Sequence, residues 1–265
     1  MNNKELKEIL RFAENTARGA GEILKQGFRR KKQIRYKGVI DPVTEYDLKS
    51  EKYIVNAIKN NFPDHGILSE EGDNKKSVDA YRWVIDPLDG TVNYAHKLPV
   101  YCVSIALVKG DESIVGVVFD PEKEELFSAY KNGGAFLNGK KISVSTESKL
   151  GRSLLATGFA YNIQNARKNN LGTFARMMKQ AQAVRRLGSA ALDLCYVADG
   201  RFEGFWEFYL HPWDTAAAIL LVTEAGGKIS GITKEKYSIF DDALLASNKL
   251  IHAQMKKALT SKMKL

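Results

Sequence analysis

The stretch that most constrains this chain is Trp83-Val84-Ile85-Asp86-Pro87-Leu88-Asp89-Gly90-Thr91-Val92-Asn93-Tyr94. Its apolar start reads as a buried strand that stops at Asp86, where Pro87 ends sheet pairing and Asp89-Gly90 turns the chain. Two carboxylates then leave one strand end together. Gly90 to Asn93 can open a helix whose free backbone N–H groups and positive dipole end face the same spot. Such a place suits a cation and a phosphate side by side. Taken alone, the same residues are equally a strand followed by an Asp-Gly turn, so the rest of the chain has to decide.

A chain of 265 residues with 12 Phe, 11 Tyr and 3 Trp can bury a full core, as one large domain or two tightly joined halves. No stretch approaches the roughly 20 apolar residues of a membrane span. Charges recur from Lys4 through Arg11, so no signal peptide is visible and a cytoplasmic location is expected. Cys102 and Cys195, each among apolar neighbours, read as buried free thiols. The formal net charge of +9 favours anionic partners, whether phosphorylated small molecules, nucleic acid or acidic protein surfaces.

Leu6, Ile9, Leu10, Ala13, Ala17, Ala20 and Leu24 recur at helical spacing and predict one long helix over about 4 to 28. The basic run Arg29 to Lys32 is a solvated face or, functionally, an electrostatic collar or nucleic-acid contact. A short strand follows at Ile34 to Lys37. Thr44 reads as the N-cap of a helix ending near Asn61, with Asp47 in its first turn. Ile67-Leu68 makes a strand that ends at Glu70. Beyond Pro99, strands at about 100 to 109, 113 to 120 and 124 to 131 form an antiparallel meander, with a further short strand before Asn138-Gly139. With the two helices these make an α+β half, residues 1–150.

Residues 151–265 alternate strand and helix, an α/β half. Strands are expected at 154 to 157, 183 to 186, 202 to 208 and 244 to 246. Helices are expected over 165 to 181, with Leu171, Phe174 and Met178 inward, over about 190 to 198, over about 214 to 225 after Pro212, and over about 249 to 261.

Glu70, Asp86, Asp89, Asp47 and Asp214 thus fall at strand ends and helix starts, where α/β structures place their sites. A carboxylate set without organised His or Cys partners calls for a hard cation, Mg2+ before zinc or iron. His211, three residues before Asp214, reads as structural or at the substrate edge.

Four segments in this order resemble the inositol monophosphatase family, Mg2+-dependent, lithium-sensitive phosphatases: Asp41-Pro42-Val43-Thr44-Glu45-Tyr46-Asp47, Leu68-Ser69-Glu70-Glu71-Gly72, the Trp83 to Tyr94 stretch, and Pro212-Trp213-Asp214-Thr215-Ala216-Ala217-Ala218 with Thr223-Glu224-Ala225-Gly226-Gly227. The resemblance runs from about residue 5 to 260. It implies a layered αβαβα sandwich, usually homodimeric. It also implies that Glu70, Asp86 and the Leu88 carbonyl hold one Mg2+, that Asp86, Asp89 and Asp214 hold a second, and that Glu70 shares a third through water. Backbone N–H groups of Gly90 and Thr91 would grip phosphate. Thr91 and Asp47, hydrogen-bonded to each other, would orient the attacking water and help remove its proton, so that Asp47, Thr91 and Glu70 form the catalytic set. The loop from Lys37 to Asp41 would close over the site. One departure is Ala160, where many relatives have Pro.

Substrate choice is expected to rest on Gly188, Ser189, Ala190 and Glu207, with Asp89 close to ring hydroxyls; Glu207 alone is equally a strand-end surface acid. The leading expectation is a phosphomonoesterase acting on an inositol monophosphate. Arg185 and Arg186 can instead hold a second phosphate, which keeps fructose 1,6-bisphosphate open as the alternative. A nucleotide substrate is less favoured by Gly188 to Asp193. A different class of function is contact of the basic surface with RNA or the transcription machinery.

Overall fold

Leu6, Ile9, Leu10, Ala13, Ala17, Ala20 and Leu24 are all buried along one face of helix α1, Asn3–Phe28, as their spacing predicts. Asn2 and Glu5 close its N-terminus as a capping box. The structure is a computed structural model that describes residues 1–30, 34–36, 42–72, 74–78, 80–160, 163–164, 166 and 169–261. Lys31 and Lys32 of the basic run, and the expected closing loop from Lys37 to Asp41, lie outside the described residues.

Strands β1, Ile34–Tyr36, and β2, Pro42–Thr44, pair antiparallel and lead into helix α2, Glu45–Asn61. Thr44 and Asp47 form the capping box of α2: the Thr44 hydroxyl receives the Tyr46 N–H, and Asp47 receives the Thr44 N–H. Next come β3, Gly66–Ser69, β4, Tyr81–Asp89, and the short helix α3, Thr91–Ala95. The meander adds β5, Cys102–Lys109, β6, Glu112–Asp120, β7, Glu125–Tyr130, β8, Gly134–Leu137, and β9, Lys140–Lys141. These strands form a seven-stranded sheet in the order β3-β4-β5-β6-β7-β8-β9.

Strand β4 does not stop at Asp86: Asp86 pairs with Ser104 and Asp89 with Cys102, so one extra residue of β4 is accommodated as a bulge. Pro87 sits in that bulge, where its missing N–H costs no ladder bond.

The second sheet runs β11-β10-β12-β14-β13 and is mixed. Its strands are β10, Leu154–Thr157, β11, Ala183–Arg185, β12, Gly204–Phe208, β13, Lys228–Ser230, and β14, Ala243–Ser247. β10 is parallel to β11 and β12, while β14 runs antiparallel to β12 and β13. The helices are α4, Leu171–Met178, α5, Ala190–Ala198, α6, Pro212–Glu224, and α7, His252–Thr260. Strand β13 was not legible, being three residues beside Gly226-Gly227.

Helix α4 is shorter than the 165 to 181 expected (residues 165, 167 and 168 are outside the described set) and is turned differently. Thr173 and Met177 are buried, while Leu171 and Met178 are about half exposed. The reason is the residue before it. Asn170 is buried and receives the indole N–H of Trp206 at 2.7 Å, while its amide donates to Thr157 Oγ1 and the Gly158 carbonyl, both at 2.7 Å. The Thr173 hydroxyl donates back to the Asn170 carbonyl at 2.9 Å, which sets the phase of the helix.

Layering follows from what each helix covers. α1 and α2 pack on one face of the seven-stranded sheet, α5 and α6 fill the space between the sheets, and α4 and α7 lie outside the five-stranded sheet. The result is the αβαβα sandwich. One apolar cluster joins Val84, Val118 and Phe127 to Leu192, Phe205 and Leu221, so α5 and α6 bury both sheets at once. Both cysteines are free and buried. Among the described residues no helix is long and apolar enough to cross a membrane.

Candidate active site

Strands β3 and β4 are parallel with Ser69 opposite Ile85, so Glu70 and Asp86 emerge side by side at the same sheet edge. The bulge after Asp86 then turns Leu88 and Asp89 toward the same edge. Asp214 arrives from the first turn of α6, where its Oδ2 receives the His211 N–H at 2.7 Å. Glu70, Asp86, Leu88, Asp89 and Asp214 line one cleft of about 720 Å3, together with Gly90 and Thr91. The carboxylates separated by up to 144 residues in sequence (Glu70 to Asp214) are thereby brought to one place.

Asp86, Asp89 and Asp214 are each held by a donor of their own. Asp86 Oδ1 receives the Leu88 N–H at 3.0 Å. Asp89 Oδ2 receives the Ser189 hydroxyl at 2.7 Å and the Ala191 N–H at 2.8 Å. Among the described residues, no three His, Cys, Asp or Glu side chains converge as ligands of one ion. The fit to a cation is chemical. Burial, then the charges of Glu70, Asp89 and Asp214, holds the Asp86 carboxyl well above its ordinary range. Burial likewise raises Asp89 to about 6 against its Ser189 and Ala191 donors, and raises Asp214 well above normal against the His211 N–H. Four mutually opposed acids and a backbone carbonyl are an oxygen-only donor set, and an oxygen-seeking divalent cation would relieve their repulsion.

Thr91 stands between this set and Asp47. Its hydroxyl lies 2.9 Å from the Leu88 carbonyl and 3.3 Å from Asp47 Oδ1. Asp47 is not among the residues lining the cleft and reaches it through Thr91. Burial raises Asp47 to about 7, opposed by the hydroxyl and N–H of Thr44. Gly90 is the N-cap of α3 with φ 93°, and a Cβ there would lie 2.8 Å from the Val100 carbonyl oxygen. Helix α3 is five residues long, so what it offers an anion is N–H groups more than a macrodipole. Asn93 ties it to the second half, donating to the carbonyls of Val100 and Leu187 at 2.8 Å each.

Glu207, Arg186, Gly188, Ser189 and Ala190 line the same cleft. Glu207 is half-buried rather than a surface acid, lies against Gly158, and is raised to about 8 by burial, with Arg186 opposing. Arg185 is exposed on β11 and is not among the residues lining the cleft. Ser189 is buried: its hydroxyl caps α5 through the Leu192 N–H and donates to Asp89. Sequence reasoning did not single out Asp193, Tyr209, Phe159, Phe240 and Asp242, which also line the cleft. Asp193 alone left a trace in the sequence, an acid inside the apolar run from Ala190 to Ala198. It is buried, and its Oδ1 has no hydrogen-bond partner among the described residues. His211 is exposed at the rim and stacks on Trp213 at 4.9 Å.

The model of the inositol monophosphatase family matches residues 5–264. An inositol-1-monophosphatase of Synechocystis is 43% identical over 259 residues, covering 97% of this chain and 90% of that protein. A protein of Aquifex aeolicus named fructose-1,6-bisphosphatase/inositol-1-monophosphatase is 38% identical over 94% of each chain. The solved inositol monophosphatase of Anabaena superposes with a TM-score of 0.90 at 39% identity over 98% of both chains.

Proposed function

The chain belongs to the inositol monophosphatase family and is a phosphatase of that family, and from this premise we propose that it hydrolyses an inositol monophosphate to inositol and phosphate with Mg2+. The family is metal-dependent; two to three Mg2+ per site is what the family resemblance implies for these residues. The observation that carries the proposal is that one cleft is lined both by the acids Glu70, Asp86, Asp89 and Asp214 and by Glu207 and Arg186.

Glu70, Asp86, Asp89, Asp214 and the Leu88 carbonyl would hold the cations, with Asp86 shared. When bound, the cations supply a lowered water pKa and a stabilised leaving oxygen. The N–H groups of Gly90 and Thr91 hold the phosphate oxygens. Thr91 Oγ1 orients the attacking water, takes its proton and passes its own to Asp47 Oδ1, whose value near 7 suits that exchange. The water oxygen bonds to phosphorus as the ester P–O bond breaks, and the leaving alkoxide takes up a proton. No covalent phosphoenzyme is involved. Glu207 and the backbone from Gly188 to Ala190 receive and offer hydrogen bonds to the polyol hydroxyls. On this reading residues 1–150 chiefly hold metal, and residues 151–265 add Asp214 and select the substrate.

Fructose 1,6-bisphosphate is the second reading, favoured by Arg186 in the cleft and by the doubly named Aquifex aeolicus relative. Homodimeric assembly belongs to the same reading and rests on the family resemblance, and a cytoplasmic location is proposed with it. The test is kcat/KM for phosphate release from inositol 1-phosphate and from fructose 1,6-bisphosphate with Mg2+. The proposal expects the inositol ester to be preferred; turnover of the bisphosphate alone would reverse it.

A further inference from the structure

Tyr209 has φ 63°, in the left-handed region where a bulky side chain is rarely found, and it lines the cleft. Its backbone is held on both sides. Phe208 pairs with Ala243 as the last rung between β12 and β14, and the Leu210 N–H donates to the Asp242 carbonyl at 3.1 Å. The chain must make this turn to pass from the end of β12 to His211, the N-cap of α6 that presents Asp214. Glycine would make the turn without cost, and what separates Tyr209 from Lys97, Glu124 and Lys249, which share its positive φ, is its place in the cleft.

The ring has a suitable place to act. Glu207, two residues earlier, lines the same cleft, and Phe159 and Phe240 line it as well. Phe159 is anchored edge-on against Phe174 at 5.7 Å. Carboxyl and aromatic surfaces together match a cyclic polyol, which carries hydroxyls around its rim and C–H bonds on its faces. An open-chain polyol phosphate offers the hydroxyls but no flat apolar face.

We infer that Tyr209 is a specificity-determining residue that packs against the face of a cyclic leaving group and so selects ring phosphates over open-chain ones. The inference rests on the phosphomonoesterase reading above and deepens it. Tyr209→Gly removes both ring and strain, and Tyr209→Asn removes the ring while keeping a residue that tolerates the left-handed backbone. Each is compared with wild type on inositol 1-phosphate and on glycerol 2-phosphate, with Tm measured alongside.

Both variants are expected to lose about ten-fold in kcat/KM on the cyclic ester and less than about two-fold on the open-chain ester, with Tm of Tyr209→Gly held or raised. Tyr209→Phe keeps the wild-type ratio. An unchanged ratio in both ring-deleting variants, whether both substrates fall together or neither moves, overturns the inference. A wild-type protein that hydrolyses neither ester would instead overturn the underlying phosphatase reading.

Discussion

The Ser189 hydroxyl donates to Asp89 Oδ2 at 2.7 Å, joining the N-cap of α5 to the strand end that carries the acids, 100 residues away. The Ala191 N–H and the more distant Cys102 thiol, at 3.8 Å, point to the same oxygen. We propose that Ser189 acts chiefly through Asp89. Ser189→Ala is expected to raise the Mg2+ concentration for half-maximal activity about ten-fold, and to weaken Mg2+ binding by calorimetry, while KM for substrate changes little. A change confined to KM would return Ser189 to the substrate.

Thr91 is the link between Asp47 and the cleft. Thr91→Ala is expected to lower kcat by roughly 100-fold or more, on the order of 3 kcal/mol of transition-state stabilisation, with KM within about three-fold. Thr91→Ser should recover most of it. Steady-state kinetics on inositol 1-phosphate check this, and a serine variant as weak as the alanine one would contradict the role of the hydroxyl.

Gly90 combines φ 93° with a backbone oxygen 2.8 Å from where a Cβ would be. Gly90→Ala is expected to cost about 2 kcal/mol or more in urea unfolding, and to weaken inhibition by inorganic phosphate because the Gly90 and Thr91 N–H groups move. Unaltered stability and phosphate inhibition together would show that the loop yields.

Much of this site was legible because its acids sit where local rules put strand ends and helix starts. Glu70, Asp86, Asp89 and Asp214 could be gathered from sequence for that reason, and α1 and α2 from period and capping. Pro87 misled, since a proline that breaks a ladder and one absorbed in a bulge look alike without the partner strand. Phase in α4 depends on Asn170 meeting Trp206, which no local pattern encodes. Asp193 and Tyr209 reach the cleft only because β12, α5 and β14 assemble around it.

His252 is buried between two hydroxyls, with Nδ1 2.8 Å from Ser247 Oγ and Nε2 2.9 Å from Ser230 Oγ. Burial, then Lys228 and Lys256, lowers it from 6.5 to about 4. The unfolded chain therefore binds the proton first as pH falls. Its contribution to stability is complete above about pH 6.5 and lost on going down toward pH 4, by about 2 kcal/mol at pH 5. Urea unfolding at about pH 8 and pH 5 should show this loss in wild type and a smaller one in His252→Gln. Equal pH dependence in the two would contradict it.

The central claim is that Asp86, faced by Glu70, Asp89 and Asp214, is the shared member of one multi-cation centre. Calorimetric titration of Mg2+ into wild type, Asp86→Asn and Asp214→Asn tests it directly. The account predicts that Asp214→Asn loses one Mg2+ and keeps at least one other, whereas Asp86→Asn loses the two that Asp86 would share and its phosphatase activity. Wild-type stoichiometry and turnover in Asp86→Asn would contradict it.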